Sequence, residues 1–218
     1  IRLFDGTEVH KMRDYLGVVP ESTGLYSRLT AWENIRYHSR LYGVNDETSW
    51  ARTVKFAESL DMTDNLSRYT KGFSRGMRQK TALLRALAHG PKVLLLDEPT
   101  AGLDVTSARI VRALVEQIRD EGGTVVYSTH QLFEAQQVCD RIIIIHNGVI
   151  KSDGAPEQLM TNTNSKSLEE AYVKLTQEKA RIRFEDNNQE NLFSRLWNKL
   201  FRPKTPNHGN NYGGFEDE

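Results

Sequence analysis

Apolar positions along the 218-residue chain change their spacing several times, and each change marks an element. Leu16-Gly-Val-Val19 has the length of a short buried strand and runs into Pro20. From Thr30 to about Ala88 the texture is helical. Thr30-Ala-Trp-Glu33 is a capping box, opening a helix with Trp32, Ile35 and Leu41 on its apolar stripe and a stop at Gly43. Thr53 to Leu60 and Met77 to Ala88 are the next helical stretches. Val93 to Leu96 is a continuous apolar run of strand length, predicting a buried strand. Ile110, Val111, Leu114, Val115 and Ile118 fall at helical spacing, Thr124 to Tyr127 is β-branched, and Ile142 to Ile145 is another buried-strand candidate. Asn147-Gly148 behind that last run is the strongest hairpin dipeptide. Ser167-Leu-Glu-Glu170 is a second capping box, opening a helix to about Lys179.

This alternation predicts an α/β fold with a mostly parallel sheet and an inserted α-helical subdomain. The predicted divisions are a partial core over 1–29, a helical subdomain over 30–90, the main core over 91–160, a helix over 161–180 and a polar tail over 181–218. Asp5-Gly6 reads as a turn, and Pro203 to Glu218 reads as disordered. Within the tail, Leu192, Phe193, Leu196, Trp197, Leu200 and Phe201 recur at helical spacing among Arg195, Lys199, Arg202 and Lys204. That pattern fits a basic amphipathic helix lying on a membrane or a partner, and equally one packed on the chain's own core.

Composition narrows the function. Lys+Arg and Asp+Glu number 29 each, which gives no electrostatic reason to expect nucleic acid as a partner. The one cysteine, Cys139, excludes an internal disulfide framework and a cysteine-cluster metal site. The longest apolar runs are far too short to span a bilayer, which predicts a soluble, cytoplasmic chain. The chain begins at Ile1 rather than Met, and its first residues read like mid-domain sequence, so the expectation is a fragment.

The chemistry concentrates in Val93-Leu-Leu-Leu-Asp-Glu-Pro-Thr100. Ligands of open α/β sheets bind beyond the carboxyl ends of the strands. An Asp there can hold a Mg²⁺ ion that bridges nucleotide phosphates, and the next residue, pointing the other way in a strand, can polarise a water; an isolated Asp-Glu would read instead as a solvated acidic turn. Asp104 follows Glu98 by six residues, and His130 follows it by thirty-two, directly after a predicted strand. Upstream, Phe73-Ser-Arg-Gly-Met77 opens a helix. Ser74 is a good N-cap, Gly76 allows close approach to the backbone, and the free N–H groups suit an anion.

Together these pieces resemble the nucleotide-binding domain of an ABC (ATP-binding cassette) ATPase, in order and spacing, over Ile1 to about Lys174. The resemblance implies ATP and Mg²⁺ as cofactors. It implies that Asp97 is a Mg²⁺ ligand, that Glu98 is the general base or water-positioning carboxylate, and that His130 is the switch histidine at the γ-phosphate. Ser74, Arg75, Gly76 and Met77 would form the signature that presses on ATP held by an opposite subunit. Asp104 would couple the two sites across the dimer. Glu21, in Val19-Pro-Glu-Ser22, stands at the Q-loop position, near the metal. The partners implied are a second copy and an integral membrane permease, on the cytoplasmic face of the membrane. Tyr26, Trp32 and Tyr37 lie where the family receives its permease, and the same positions also fit packing on the chain's own core, Trp32 most of all.

Two departures narrow the likeness. The commonest signature is Leu-Ser-Gly-Gly-Gln, and the usual Q-loop residue is glutamine. Both variants here are similar to those of ABC-2-type exporters, including the sodium-exporter-like branch. A third departure is larger: no glycine in the chain is followed by lysine, so the phosphate-binding Gly-x-x-x-x-Gly-Lys-Ser/Thr is missing. One reading is N-terminal truncation of an active ATPase; the other is a non-hydrolysing pseudo-ATPase or regulatory subunit. A non-transport ABC ATPase is the remaining alternative.

Overall fold

The computed structural model describes residues 13–185. Its elements are β1 (Leu16–Val19), α1 (Ala31–Leu41), α2 (Asp46–Ser59), α3 (Arg75–Leu87), β2 (Val93–Asp97), α4 (Val105–Asp120), β3 (Thr124–Ser128), α5 (Leu132–Val138), β4 (Ile142–His146), β5 (Val149–Gly154), α6 (Pro156–Asn162) and α7 (Leu168–Glu185). The chain divides into a large unit, Ile1–Tyr172, and a second, Val173–Glu218, whose described part is the remainder of α7. The turn at Asp5-Gly6, the amphipathic segment of residues 192–204 and the polar end of the chain lie outside the described residues.

Local chemistry sets most element ends. Thr30 and Glu33 form the capping box of α1, with Glu33 N–H on Thr30 Oγ1 (3.1 Å) and Thr30 N–H on Glu33 Oε2 (2.7 Å). Helix α2 starts well before Thr53, because the Asn45 side chain caps it at Thr48 N–H (2.8 Å) over a polar first turn. At the far end, Ser167 Oγ accepts the Glu170 N–H (3.2 Å), and α7 runs on to Glu185.

Strands β1, β2 and β3 form a parallel sheet in that order, with Val19 opposite Leu96 and Asp97 opposite Ser128. One face is closed. Leu94 and Leu96 pack there with Val19, with Val111 and Leu114 of α4, and with Leu83, Leu84 and Ala86 of α3. Helix α3 crosses β1 so closely that a Cβ on Gly17 would sit 2.6 Å from Ala86 O and 2.9 Å from Leu94 Cδ1. The other face is open. Its row is Val18, Leu95 and Val126, registered side by side, with Val18 47 % and Val126 55 % exposed.

Strand β4 departs from its predicted burial. It pairs antiparallel with β5 in a separate ribbon, and Ile143 and Ile145 are exposed while Ile142 and Ile144 are buried. A continuous apolar run therefore behaves as an alternating one, because only one of its faces is covered. Asn147 and Gly148 both have positive φ (50° and 73°), as a two-residue primed turn requires. Among the described residues no strand pairs with the outer edge of β3. Between that edge and β4 lies a cleft of about 900 Å³, floored by Val126, Leu132, Val138, Ile143 and Ile145.

Candidate functional site

Asp97 is the last residue of β2, and its exposed carboxylate leaves the carboxyl end of the sheet. Across the register, Ser128 Oγ donates to Asp97 Oδ1 at 2.7 Å. The chain then turns at once: Glu98 adopts φ 47°, in the left-handed region that costs a non-glycine residue roughly 1 kcal/mol or more. Alternation along a strand is thus not what aims Glu98. The left-handed turn aims it, with Glu98 N–H held by Ser128 O and Oγ (both 3.2 Å).

That turn points the Glu98 side chain at His130. One carboxylate oxygen, Oε1, accepts both the His130 backbone N–H (3.0 Å) and ring Nδ1–H (2.9 Å). An ionised carboxylate only accepts, so Nδ1 carries the proton and Nε2 is left facing out. The hydrogen bond that His130 donates to Glu98, and then the Glu98 charge, hold the His130 pKa above the usual imidazole value. The second oxygen, Oε2, is buried with no hydrogen-bond partner among the described residues. A buried acceptor so aimed is suited to a water or a substrate hydroxyl.

A second cluster forms where α3 meets α4. Ser74 Oγ caps α3 at Met77 N–H (3.2 Å), and the Met77 side chain packs against the core. Asp104 caps α4, taking Ser107 N–H on Oδ1 (2.9 Å) and Ser107 Oγ–H on Oδ2 (2.7 Å); these bonds hold its pKa below the usual carboxylate range. The two caps touch. A Cβ on Gly76 would lie 3.0 Å from Ser107 Oγ, and the Arg75 guanidinium lies across Gly102, whose φ is 67°. At Gly102 the positive φ disfavours a side chain, whereas at Gly76 a Cβ would press on Ser107 Oγ.

The structure therefore joins Asp97, Glu98 and His130 in one group and Ser74, Arg75, Gly76 and Asp104 in another. Glu21 is exposed, two residues past the end of β1 on the same edge of the sheet, and among the described residues it pairs with neither group. Sequence reasoning passed over Ser128, Thr100 and Glu134. Their only signal was proximity to Asp97, Glu98 and His130 in the chain. Among the described residues no three His, Cys, Asp or Glu side chains form a metal cluster. Mg²⁺ needs no such cluster: one or two carboxylates complete its shell beside phosphates and waters, and the exposed Asp97 carboxylate fits that demand.

Comparison with known proteins points to one family. A family described as "ABC transporter" matches residues 2–101. The chain is 43% identical over 151 residues to the ABC transporter ATP-binding protein NatA of Bacillus subtilis (strain 168), covering 69% of this chain and 61% of that protein. It is 31% identical over 170 residues to the ABC-type transporter ATP-binding protein EcsA of the same organism, covering 77% of this chain and 69% of that one. Against the linearmycin resistance ATP-binding protein LnrL the identity is 31%, over 52% of that protein. The chain thus spans from about half to about two thirds of these relatives. A solved ATP-binding subunit of an ABC transporter superposes with a TM-score of 0.68 at 29% identity, over 78% of this chain and 74% of that one.

Proposed function

Because this chain belongs to the ABC transporter ATP-binding family, we propose that it binds and hydrolyses Mg·ATP as one half of a dimer and drives a separate membrane permease. The observation that carries the hydrolytic part is the Glu98–His130 pair beside Asp97, with Glu98 Oε2 buried and unpartnered. Asp97, with Glu21 near the same edge, would hold Mg²⁺, which supplies charge neutralisation at the phosphates. Glu98 Oε2 accepts a proton from the attacking water, whose oxygen bonds to the γ-phosphorus as the bond to the β-phosphate oxygen breaks, giving ADP and phosphate. As an imidazolium, the form its raised pKa favours, His130 donates Nε2–H to the γ-phosphoryl oxygens while its Nδ1–H keeps Glu98 in place. The capped start of α3, with Ser74, Arg75, Gly76 and Met77, would meet ATP on the partner subunit, and Asp104 would link that face to α4.

The phosphate loop absent from this sequence has a physical place in this reading. Parallel sheets are normally covered on both faces, and among the described residues one edge and one face are bare. A further parallel strand in the cleft beside β3, followed by a helix over Val18 and Val126, would close both. The N-terminus of such a helix would lie beyond the same sheet edge as Asp97. The Glu21 and Phe73-Ser-Arg-Gly-Met77 variants favour an ABC-2-type exporter within the family. The competing reading, a non-hydrolysing subunit, rests on the missing Gly-Lys pair.

The test is ATP turnover by the complete gene product, alone and with its permease. Glu98→Gln is expected to lower kcat by about a hundredfold or more while ATP still binds. Equal turnover by the wild type and this variant would overturn the assignment. A wild type that binds ATP without hydrolysing it would favour the regulatory reading.

A further inference from the structure

Two residues beyond Glu98 and four beyond His130, a second polar group with a buried centre ties their segments together. Glu134 of α5 is only 2 % exposed and Thr100 only 3 %. Thr100 Oγ1–H donates to Glu134 Oε2 at 2.7 Å, and Arg112 of α4 donates to Glu134 Oε1 at 3.1 Å. Tyr127 of β3 completes the group: with the Thr100 proton spent on Glu134, the Tyr127 hydroxyl donates to Thr100 Oγ1 at 3.3 Å. Burial pushes the Tyr127 pKa well up, so the phenol stays protonated.

A buried carboxylate is costly, and apolar side chains of similar size would pack the same space with at least equal stability. What the network adds is registration. Helix α5 has only seven residues and no side-chain cap, so its own propensity does not hold it. Glu134 fastens it to the turn that carries Glu98. The His130 loop leads directly into α5, and its N–H and Nδ1–H are the two donors on Glu98.

We propose that Glu134 is a positioning residue: through Thr100 and Arg112 it sets the His130 loop against Glu98, and so aims Glu98 for hydrolysis. This rests on the hydrolytic reading above. Steady-state ATPase of the complete protein is measured for Glu134→Gln and Thr100→Val, with melting curves to confirm folding. Thr100→Val removes one arm without changing any charge. Expected are a loss of about tenfold in kcat for Glu134→Gln and a few-fold for Thr100→Val, with KM for ATP within about twofold. In a His130→Ala background Glu134→Gln should cost less than about twofold more, because its effect runs through the pair already broken. Equal losses in both backgrounds, or no loss, overturn the proposal. Hydrogen exchange of the His130 amide needs no ATP and separates this idea from the hydrolytic one. Both variants should raise that rate about tenfold. Unchanged exchange sinks the tether, whereas faster exchange in a protein that turns over no ATP upholds the tether and sinks hydrolysis.

Discussion

Single titratable groups in this chain pull in opposite directions with pH. His38 of α1 is half-buried, with its Nδ1 unpartnered; its ring lies near Tyr42 (5.1 Å between centroids) and His89 (6.3 Å), and Arg85 of α3 is close by. Burial, then the charges of Arg85 and His89, lower its pKa from 6.5 to about 4. The unfolded chain therefore binds this proton more readily than the folded one. Stability from this group is whole above pH 6.5 and falls as pH drops from there towards about 4. His130 has the reverse sign: its raised pKa makes the Glu98 pair strongest at low pH and weaker as pH climbs through that raised value. Urea midpoints between pH 7.5 and 4.5 should decline on the acid side, and His38→Phe should flatten the decline. At Glu21, Glu21→Gln should shift the Mg²⁺ dependence of ATP turnover, and an unchanged Mg²⁺ titration would remove Glu21 from the metal's surroundings.

Elements depend on a few close approaches. Gly17→Ala would push a methyl group into the Ala86 carbonyl and the Leu94 side chain, where α3 crosses β1. Its expected cost is about 2–3 kcal/mol, read from denaturant midpoints. Gly148→Ala, at φ 73° in the β4–β5 turn, should cost about 1 kcal/mol and leave the sheet unaffected. The capping box of α1 and the Asn147-Gly148 turn were legible beforehand, because both are local chemistry between neighbours in the chain. The start of α2 was not: its first turn, Asp46-Glu-Thr-Ser49, carries no apolar period, and only the Asn45 cap marks it. The exposure of Ile143 and Ile145 was not legible either, since a run of four isoleucines has no alternation to read.

For the whole molecule the open edge of β3 and the bare row of Val18 and Val126 matter most. In the 218-residue chain, Val126→Lys should shift stability by no more than about 0.5 kcal/mol, as surface changes do. It should also reduce self-association and the binding of hydrophobic dyes. In a longer protein whose further strand and helix cover that row, the same change would bury an unpaired ammonium and cost about 3 kcal/mol or more. Comparing the two melting curves tests the proposed place of the phosphate loop. Among the described residues no helix is long and apolar enough to cross a membrane.

By itself the sequence determined the elements whose signals lie within a few residues: the caps at Thr30 and Ser74, the strand ending at Asp97, and the adjacency of Asp97, Glu98 and the turn after them. It also carried the family likeness, which is a matter of order and spacing. Only the tertiary structure decided which strands are neighbours and which face is bare, because parallel pairing joins segments far apart in the chain. It also decided that Glu98 is aimed at His130, and that the Asp104 cap sits against Gly76 through Ser107. Glu134 is the plainest case. On its helix it reads as one more surface acid, and only the packing of α4, α5, β3 and the turn after β2 around it makes it a buried anchor.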